Sequence, residues 1–305
     1  MKFGKLQDIT GVDFRLPADP AENQAILAKA VEQTEFLNVY IGCTGWSMPE
    51  WVGRVYPTGT RTKGFLTAYG KQFNTIELNT THYRIPGLEM IQRWYEQTPA
   101  DFRFCPKIPQ SISHSRNLGL GGEQIPLFCE AVQGLEEKLG CCFMQLPPYF
   151  GPDRLKQLET FLQAFPTHIP LAIELRHEAW FKDATTRLGL FEVLENTNSA
   201  TVLTDVAGRR DVLHMRLTNA IGMTRFVGND LHPTDYERVD EWVLRLQHWR
   251  EQGLREMYFF THEPDNLKAP DLADYLARQL KGKEGIQTRG PVFFASDQGE
   301  QMSLF

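Results

Sequence analysis

The chain has 305 residues, 42% of them apolar and 23% charged, with a formal net charge of −6 at pH 7. This is ordinary globular composition with material for a sizeable core, and it excludes a whole-surface electrostatic hold on nucleic acid while leaving room for a local basic patch. No apolar run approaches the roughly 18 residues of a membrane span and the first residues lack a signal-peptide core, so no membrane partner and a cytoplasmic location are expected.

Residues 1–36 read as an N-terminal extension, in which DPAENQAILAKAVEQT predicts a helix that Asp19 can cap and that braces or plugs the body of the protein. Strand-like runs then recur along the chain: VYIGCTGW (39–46), TIELNTTHY (75–83), FRFCPKIP (102–109), CCFMQLPP (141–148), LAIELRH (171–177), SATVLTD (199–205), VLHMRLT (212–218) and EMYFFTHEP (256–264). Helical periodicity lies between most of them. LEMIQRWYEQT (88–98) places Met90, Ile91, Trp94 and Tyr95 on one face, and DRLKQLETFLQAF (153–165) repeats Leu155, Leu158, Phe161 and Leu162. VDEWVLRLQHWREQG (239–253) predicts a helix closed by Gly253, and PDLADYLARQL (270–280) a last one. The link between the sixth and seventh runs is too short for a helix, so that crossover is degenerate. Eight strands alternating with helices predict an α/β fold, a single (β/α)8 TIM-type barrel over residues 37–280, with a doubly wound open sheet as the alternative. Residues 281–305 read as a C-terminal arm. Neither a G-x-G-x-x-G after the first strand nor a Walker A string is present.

Charged residues gather at the C-terminal ends of the runs, where barrel enzymes keep their chemistry. Strand alternation turns Ile76 and Leu78 toward the helices and Glu77, Asn79, Thr81 and Tyr83 inward. By the same phase Lys107, Gln145, Glu174, Arg176, Asp205, His214 and Arg216 point inward, with Thr44 and Trp46 capping the first strand. Buried charges require pairing, so acids Glu77, Glu174 and Asp205 beside bases Lys107, Arg176 and Arg216 form either a mutually compensated site or an ionic plug. Glu77, Glu174 and Lys107 are the candidate catalytic residues, because paired carboxylates suit general acid–base work. Arginines at the mouth point to a phosphate or carboxylate held bidentately. Trp46, Asn79, Tyr83, Gln145, Arg176, His177, Asp205 and Arg216 are the candidate substrate-binding residues. Lys107 as a Schiff-base amine is disfavoured by the adjacent acids, which would hold its proton. No cofactor is predicted. A divalent metal on His177, His214, His262 and Glu263 is the alternative, opposed by three cations at the same mouth.

The five cysteines, Cys43, Cys105, Cys129, Cys141 and Cys142, show no metal-binding spacing and read as buried thiols of a reducing compartment. Long loops at 45–64, 109–124 and 218–233 carry tryptophan, tyrosine and arginine, suited either to a planar ligand or to anchoring the loops themselves.

Five strings in order, IGCTGWSMPEWVGRVYP, FNTIELNTTHYRIP, FRFCPKIPQSISH, FMQLPPYF and IELRHEAWF, resemble the YecE-like family, domain of unknown function 72, over about Tyr40 to Leu280. The resemblance implies a TIM-type barrel and leaves the activity open. Late in the chain the pattern departs: Thr218 stands where histidine is usual in that family, and His262 and Glu263 stand where asparagines are usual. The residues themselves support an enzyme of hydrolase or lyase type acting on a small anionic substrate. The rival is a non-catalytic module that binds a nucleotide or nucleic-acid component and is linked to DNA metabolism through its C-terminus. There QMSLF resembles the sliding-clamp-binding motif of bacterial replication and repair proteins, with Gln301 to hydrogen-bond and Leu304 and Phe305 as apolar anchors.

Overall fold

The computed structural model describes residues 4–29 and 36–294. The apolar runs become short parallel strands: β1 (Leu37–Gly42), β2 (Thr75–Leu78), β3 (Arg103–Pro106), β4 (Cys142–Gln145), β5 (Leu171–Glu174), β6 (Ala200–Asp205), β7 (Ile221–Val227), β8 (Glu256–His262) and β9 (Ile286–Arg289). The longer helices are α1 (Glu22–Ala28), α2 (Phe65–Gln72), α3 (Leu88–Gln97), α4 (Gln124–Gln133), α5 (Leu155–Ala164), α6 (Ala184–Asn196), α7 (Pro233–Gln252) and α8 (Ala269–Leu280). On α3 the buried face is Ile91 and Trp94, with Met90 left exposed, and α7 ends as expected at Gly253, whose φ of 114° favours glycine.

The ladders form two parallel sheets and not the one closed ring expected from the sequence. Seven strands run in the order β4-β5-β6-β7-β8-β1-β9, and β2 and β3 pair separately. The interruption between β1 and β2 has a physical cause, since side chains replace the ladder there. Asn74 Oδ1 accepts from the Ile41 N–H at 2.7 Å and its Nδ2 donates to Val39 O at 3.2 Å. The Tyr69 hydroxyl accepts from the Cys43 N–H at 2.7 Å and donates to Thr75 O at 3.0 Å. One direct backbone bond crosses the seam, Glu77 N–H to Cys43 O at 3.1 Å. Lower on β1, β9 takes the edge. A Cβ at Gly42 would stand 2.2 Å from Thr75 O, a backbone atom that cannot swing aside. Gly42→Ala is therefore expected to destabilise the protein by about 1–3 kcal/mol; an unchanged urea midpoint would show that the seam does not hold β2 against β1.

Three expectations are corrected. The seventh strand is residues 221–227, taken above for loop, whereas most of VLHMRLT is irregular chain whose backbone is satisfied from a distance. Buried Asn23 of α1 donates to Met215 O at 2.9 Å and accepts from the Leu217 N–H at 2.9 Å. Asp19 does not cap α1; it accepts from Asn23 Nδ2 at 2.8 Å and from the Trp249 indole at 2.7 Å, tying the extension to α7. Residues 286–294 are not a free arm, since β9 pairs with β1 and the Phe294 N–H reaches Arg54 O at 2.8 Å. The docking peptide with Gln301, Leu304 and Phe305 lies outside the described residues.

Apolar residues fill three clusters. One lies between β1, β2, β8 and helices α2, α3, α7 and α8; another lies between β4, β5 and α4–α6. The third gathers Cys105, Phe143, Ala172, Val202, Met223, Tyr258 and Phe260, alternate residues of strands from both sheets. All five cysteines are free and buried. Trp51 and Tyr56 of the first long loop are buried against Tyr69 and Phe73, so those aromatics anchor the loop. Among the described residues no helix is long and apolar enough to cross a membrane.

Candidate functional site

Most of the parallel strands deliver their last residues to one end of the sheets, and there the polar side chains meet in a cavity of about 410 Å³. Glu77 comes from β2, Lys107 follows β3, Gln145 ends β4, Glu174 ends β5, Arg225 sits near the end of β7 and His262 ends β8. Beyond Leu78 the chain leaves the strand and makes a helical turn, Thr80–Tyr83, which places Asn79, His82 and Tyr83 on the cavity wall.

Arg225, 1% exposed, organises the site. Its Nε and Nη2 each lie 2.9 Å from a Glu77 oxygen, and its Nη1 donates to Glu174 Oε2 at 2.9 Å. Glu77 accepts further bonds from Asn79 Nδ2 and His262 Nε2, both at 2.8 Å. Glu174 accepts from Gln145 Nε2 at 2.6 Å and from Arg176 Nε at 3.1 Å. Burial alone would raise both carboxyls. For Glu77 the charges of Arg225 and His262 outweigh it and hold the acid well below the usual range. For Glu174, Arg225 and then Arg176 bring it down to about 2. Both acids are therefore ionised, and each accepts hydrogen bonds from three or more donors.

Lys107 behaves differently. Its Nζ donates to the uncharged Gln145 Oε1 at 3.0 Å, and among the described residues it forms no ion pair. Burial, then the neighbouring Arg225, pushes the amine down to about 8 despite Glu77 and Glu174. The adjacent acids raise it less than burial and Arg225 lower it, and their hydrogen bonds go to other partners. Burial also brings His82 down to about 4, so its imidazole is neutral at pH 7. Burial, then Asp235, pushes Glu263 up to about 7, with one oxygen unpartnered against Gly228.

Of the residues expected at this mouth, Glu77, Asn79, Tyr83, Lys107, Gln145 and Arg176 line the cavity and Glu174 supports it from behind. Thr44, expected to cap the first strand, lines it as well, and the remaining ones go elsewhere. Asp205 is buried toward α7, accepting from Arg238 Nη1 at 3.0 Å and from the Trp242 indole at 2.8 Å. Arg216 pairs with Glu195 of α6 and reaches Asn23 at 3.3 Å. With His214, whose ring stacks on Phe181, it lines a separate cavity of about 660 Å³ between the N-terminal extension and α6. His177 accepts the Ala179 N–H at 3.2 Å, capping a helical turn. Trp46 packs edge-on against Trp94. Sequence reasoning missed Arg225, His82 and the Glu77 contact of His262. The alternation of Met223, Arg225 and Val227 in IGMTRFV was the available signal for Arg225. Among the described residues no group of three or more His, Cys, Asp or Glu side chains is placed to hold a metal ion.

The fold and site define a parallel α/β protein with a charged cavity at the carboxyl ends of its strands. The chain belongs to the family described as Protein of unknown function DUF72, whose model matches residues 40–292, in keeping with the five strings of the sequence. It is 31% identical over 261 residues to UPF0759 protein YecE of Escherichia coli strain K12, covering 80% of this chain and 93% of that protein. It is also 29% identical over 152 residues to UPF0759 protein YunF of Bacillus subtilis strain 168, covering 47% and 52% of the two chains. A solved structure, that of a DUF72 family protein (EF0366) from Enterococcus faecalis V583, superposes with a TM-score of 0.64 at 19% identity, covering 81% of this chain and 99% of that one. That likeness concerns the fold.

Proposed function

We propose that the chain is an enzyme of hydrolase or lyase type, acting on a small substrate that bears a phosphate or carboxylate and binds in the strand-end cavity. The observation that carries this reading is the division of charge. Three cations, Arg225, Arg176 and Lys107, stand against the two ionised acids Glu77 and Glu174; Arg225 and Arg176 are paired with those acids, and the charge of Lys107 is in excess on the cavity wall. A wall of that sign, partly out of water, favours an anion. Glu77 and Glu174, held ionised, are positioning residues in this reading, and Lys107 is the group whose proton exchanges near neutral pH.

The same reading takes the two sheets as arcs of one (β/α)8 barrel whose joints are made by side chains. Support comes from the third apolar cluster, which draws on strands of both sheets, and from the Arg225 bonds to Glu77 on β2 and Glu174 on β5. A cytoplasmic location belongs with it, supported by five free buried cysteines.

The rival reading, a nucleotide- or nucleic-acid-binding module docked to a DNA sliding clamp through its terminal peptide, is favoured by Tyr83. This residue lines the cavity yet is 81% exposed, as a base-stacking ring would be. A panel of phosphorylated and carboxylated small molecules separates the two. For an enzyme, a turned-over substrate is found and Lys107→Met lowers its turnover by about 10²–10⁴-fold while inorganic phosphate still binds. Arg176→Ala is expected to weaken phosphate about tenfold or more, measured by calorimetric titration. Phosphate binding without turnover of any panel member favours the binding module, and a failure of phosphate and of every carboxylated panel member to bind removes the anionic-substrate reading altogether.

A further inference from the structure

We infer that Lys107 is an imine-forming amine and that the cavity takes an aldehyde or ketone whose phosphate or carboxylate is held by Arg176. This rests on the anionic-substrate reading of the same cavity and names its reactive group and substrate class.

The geometry is that of an amine held without an ion-pair partner of its own, so that it gives up its proton more readily than an ordinary lysine. A lysine retained for its charge sits against a carboxylate; here both nearby carboxylates are engaged by Arg225, one of them by Arg176 as well. Gln145, which fixes the Lys107 nitrogen at 3.0 Å, is itself fixed by its 2.6 Å bond to Glu174. The amine is thus positioned through an uncharged relay, and its basicity falls with burial and the nearby guanidinium. His82 supplies a proton carrier on the same wall. Its Nδ1 lies 3.0 Å from Ile108 O, which can only accept, so Nδ1 carries the hydrogen and Nε2 the lone pair.

The Lys107 ammonium first gives a proton to solvent; its neutral nitrogen then donates its lone pair to the carbonyl carbon, forming a C–N bond as the C=O π pair moves to oxygen. The nitrogen sheds a proton, which His82 passes to that oxygen, giving the carbinolamine. The proton first lost by the ammonium then returns to the hydroxyl, the C–O bond breaks with loss of water, and the nitrogen lone pair closes the C=N⁺ bond. The sum is one ammonium plus one carbonyl giving one iminium plus one water, with no oxidant or reductant required. The iminium then withdraws electrons from the adjacent carbon, the property on which lyase chemistry depends.

The full-length protein is incubated separately with glyceraldehyde 3-phosphate, with pyruvate and with uncharged glyceraldehyde, each with cyanoborohydride, and its peptides are mapped by mass. The phosphate and carboxylate arms distinguish the two anionic sources. With at least one anionic probe, Lys107 is expected to be labelled about tenfold or more faster than any other lysine. Inorganic phosphate should suppress that labelling, and glyceraldehyde should show no preference for the site. The rate in the wild-type protein should rise with pH about a midpoint near 8, which keeps the test independent of whether Lys107→Met folds. Phosphate binding without preferential labelling of Lys107 by either anionic probe overturns the imine alone. Absence of both phosphate binding and preferential labelling overturns the anionic-substrate reading with it.

Discussion

Replacing Arg225 with methionine is expected to destabilise the protein by about 3–5 kcal/mol at pH 7, the cost of leaving buried carboxylates without their cation. Glu77 would keep Asn79 and His262, and Glu174 would keep Gln145 and Arg176, but the bidentate bridge between the two acids would be gone. The pH dependence identifies the cause. In the native protein both acids are held below their ordinary value of 4.5, so their contribution to stability is complete above that pH. It is lost as pH falls, for Glu174 down to about 2. Without Arg225, burial is the dominant influence and at least one acid rises above its unfolded value, so the variant recovers stability relative to the native protein as pH falls from 7 toward 5. Urea titrations at the two pH values measure this. A loss under about 1 kcal/mol at pH 7, or a gap that does not narrow on acidification, would mean that Arg225 does not organise the site.

Asp205→Ala is expected to cost a similar amount, about 3–5 kcal/mol, and to leave phosphate affinity unchanged. Asp205 is wholly buried, where it accepts from Trp242 and pairs with Arg238 and Arg210. Arg238 would retain Asp235 and Arg210 the carbonyls of Phe14 and Arg15, but both would lose a buried counter-charge and the indole N–H its acceptor. Burial would raise the Asp205 carboxyl, yet Arg238 and then Arg210 hold it below its ordinary 3.8, so its contribution is present above that pH and lost below it. Urea titration reports the stability, and phosphate calorimetry well below the melting temperature reports the site. Weakened phosphate binding with unaltered stability would return Asp205 to the cavity.

The sequence by itself determined the parallel α/β alternation and most of the helices, which rest on local periodicity, the family, which rests on short contiguous strings, and the strand-end cavity residues. Glu77, Lys107, Gln145 and Glu174 lie at strand ends whose inward phase can be counted from their apolar neighbours. Tertiary structure decided what periodicity does not carry. HMRLT alternates like a strand, but Asn23, far earlier in the chain, satisfies its backbone and removes the need for a ladder, so IGMTRFV forms the strand instead. That exchange put Arg225 in the interior and sent Arg216 to Glu195. Asp205 has the alternation of an inward residue, yet a basic side chain and an indole of α7 offered it partners on the outer face. A buried charge goes where its counter-charge is, and that depends on which segments meet in space.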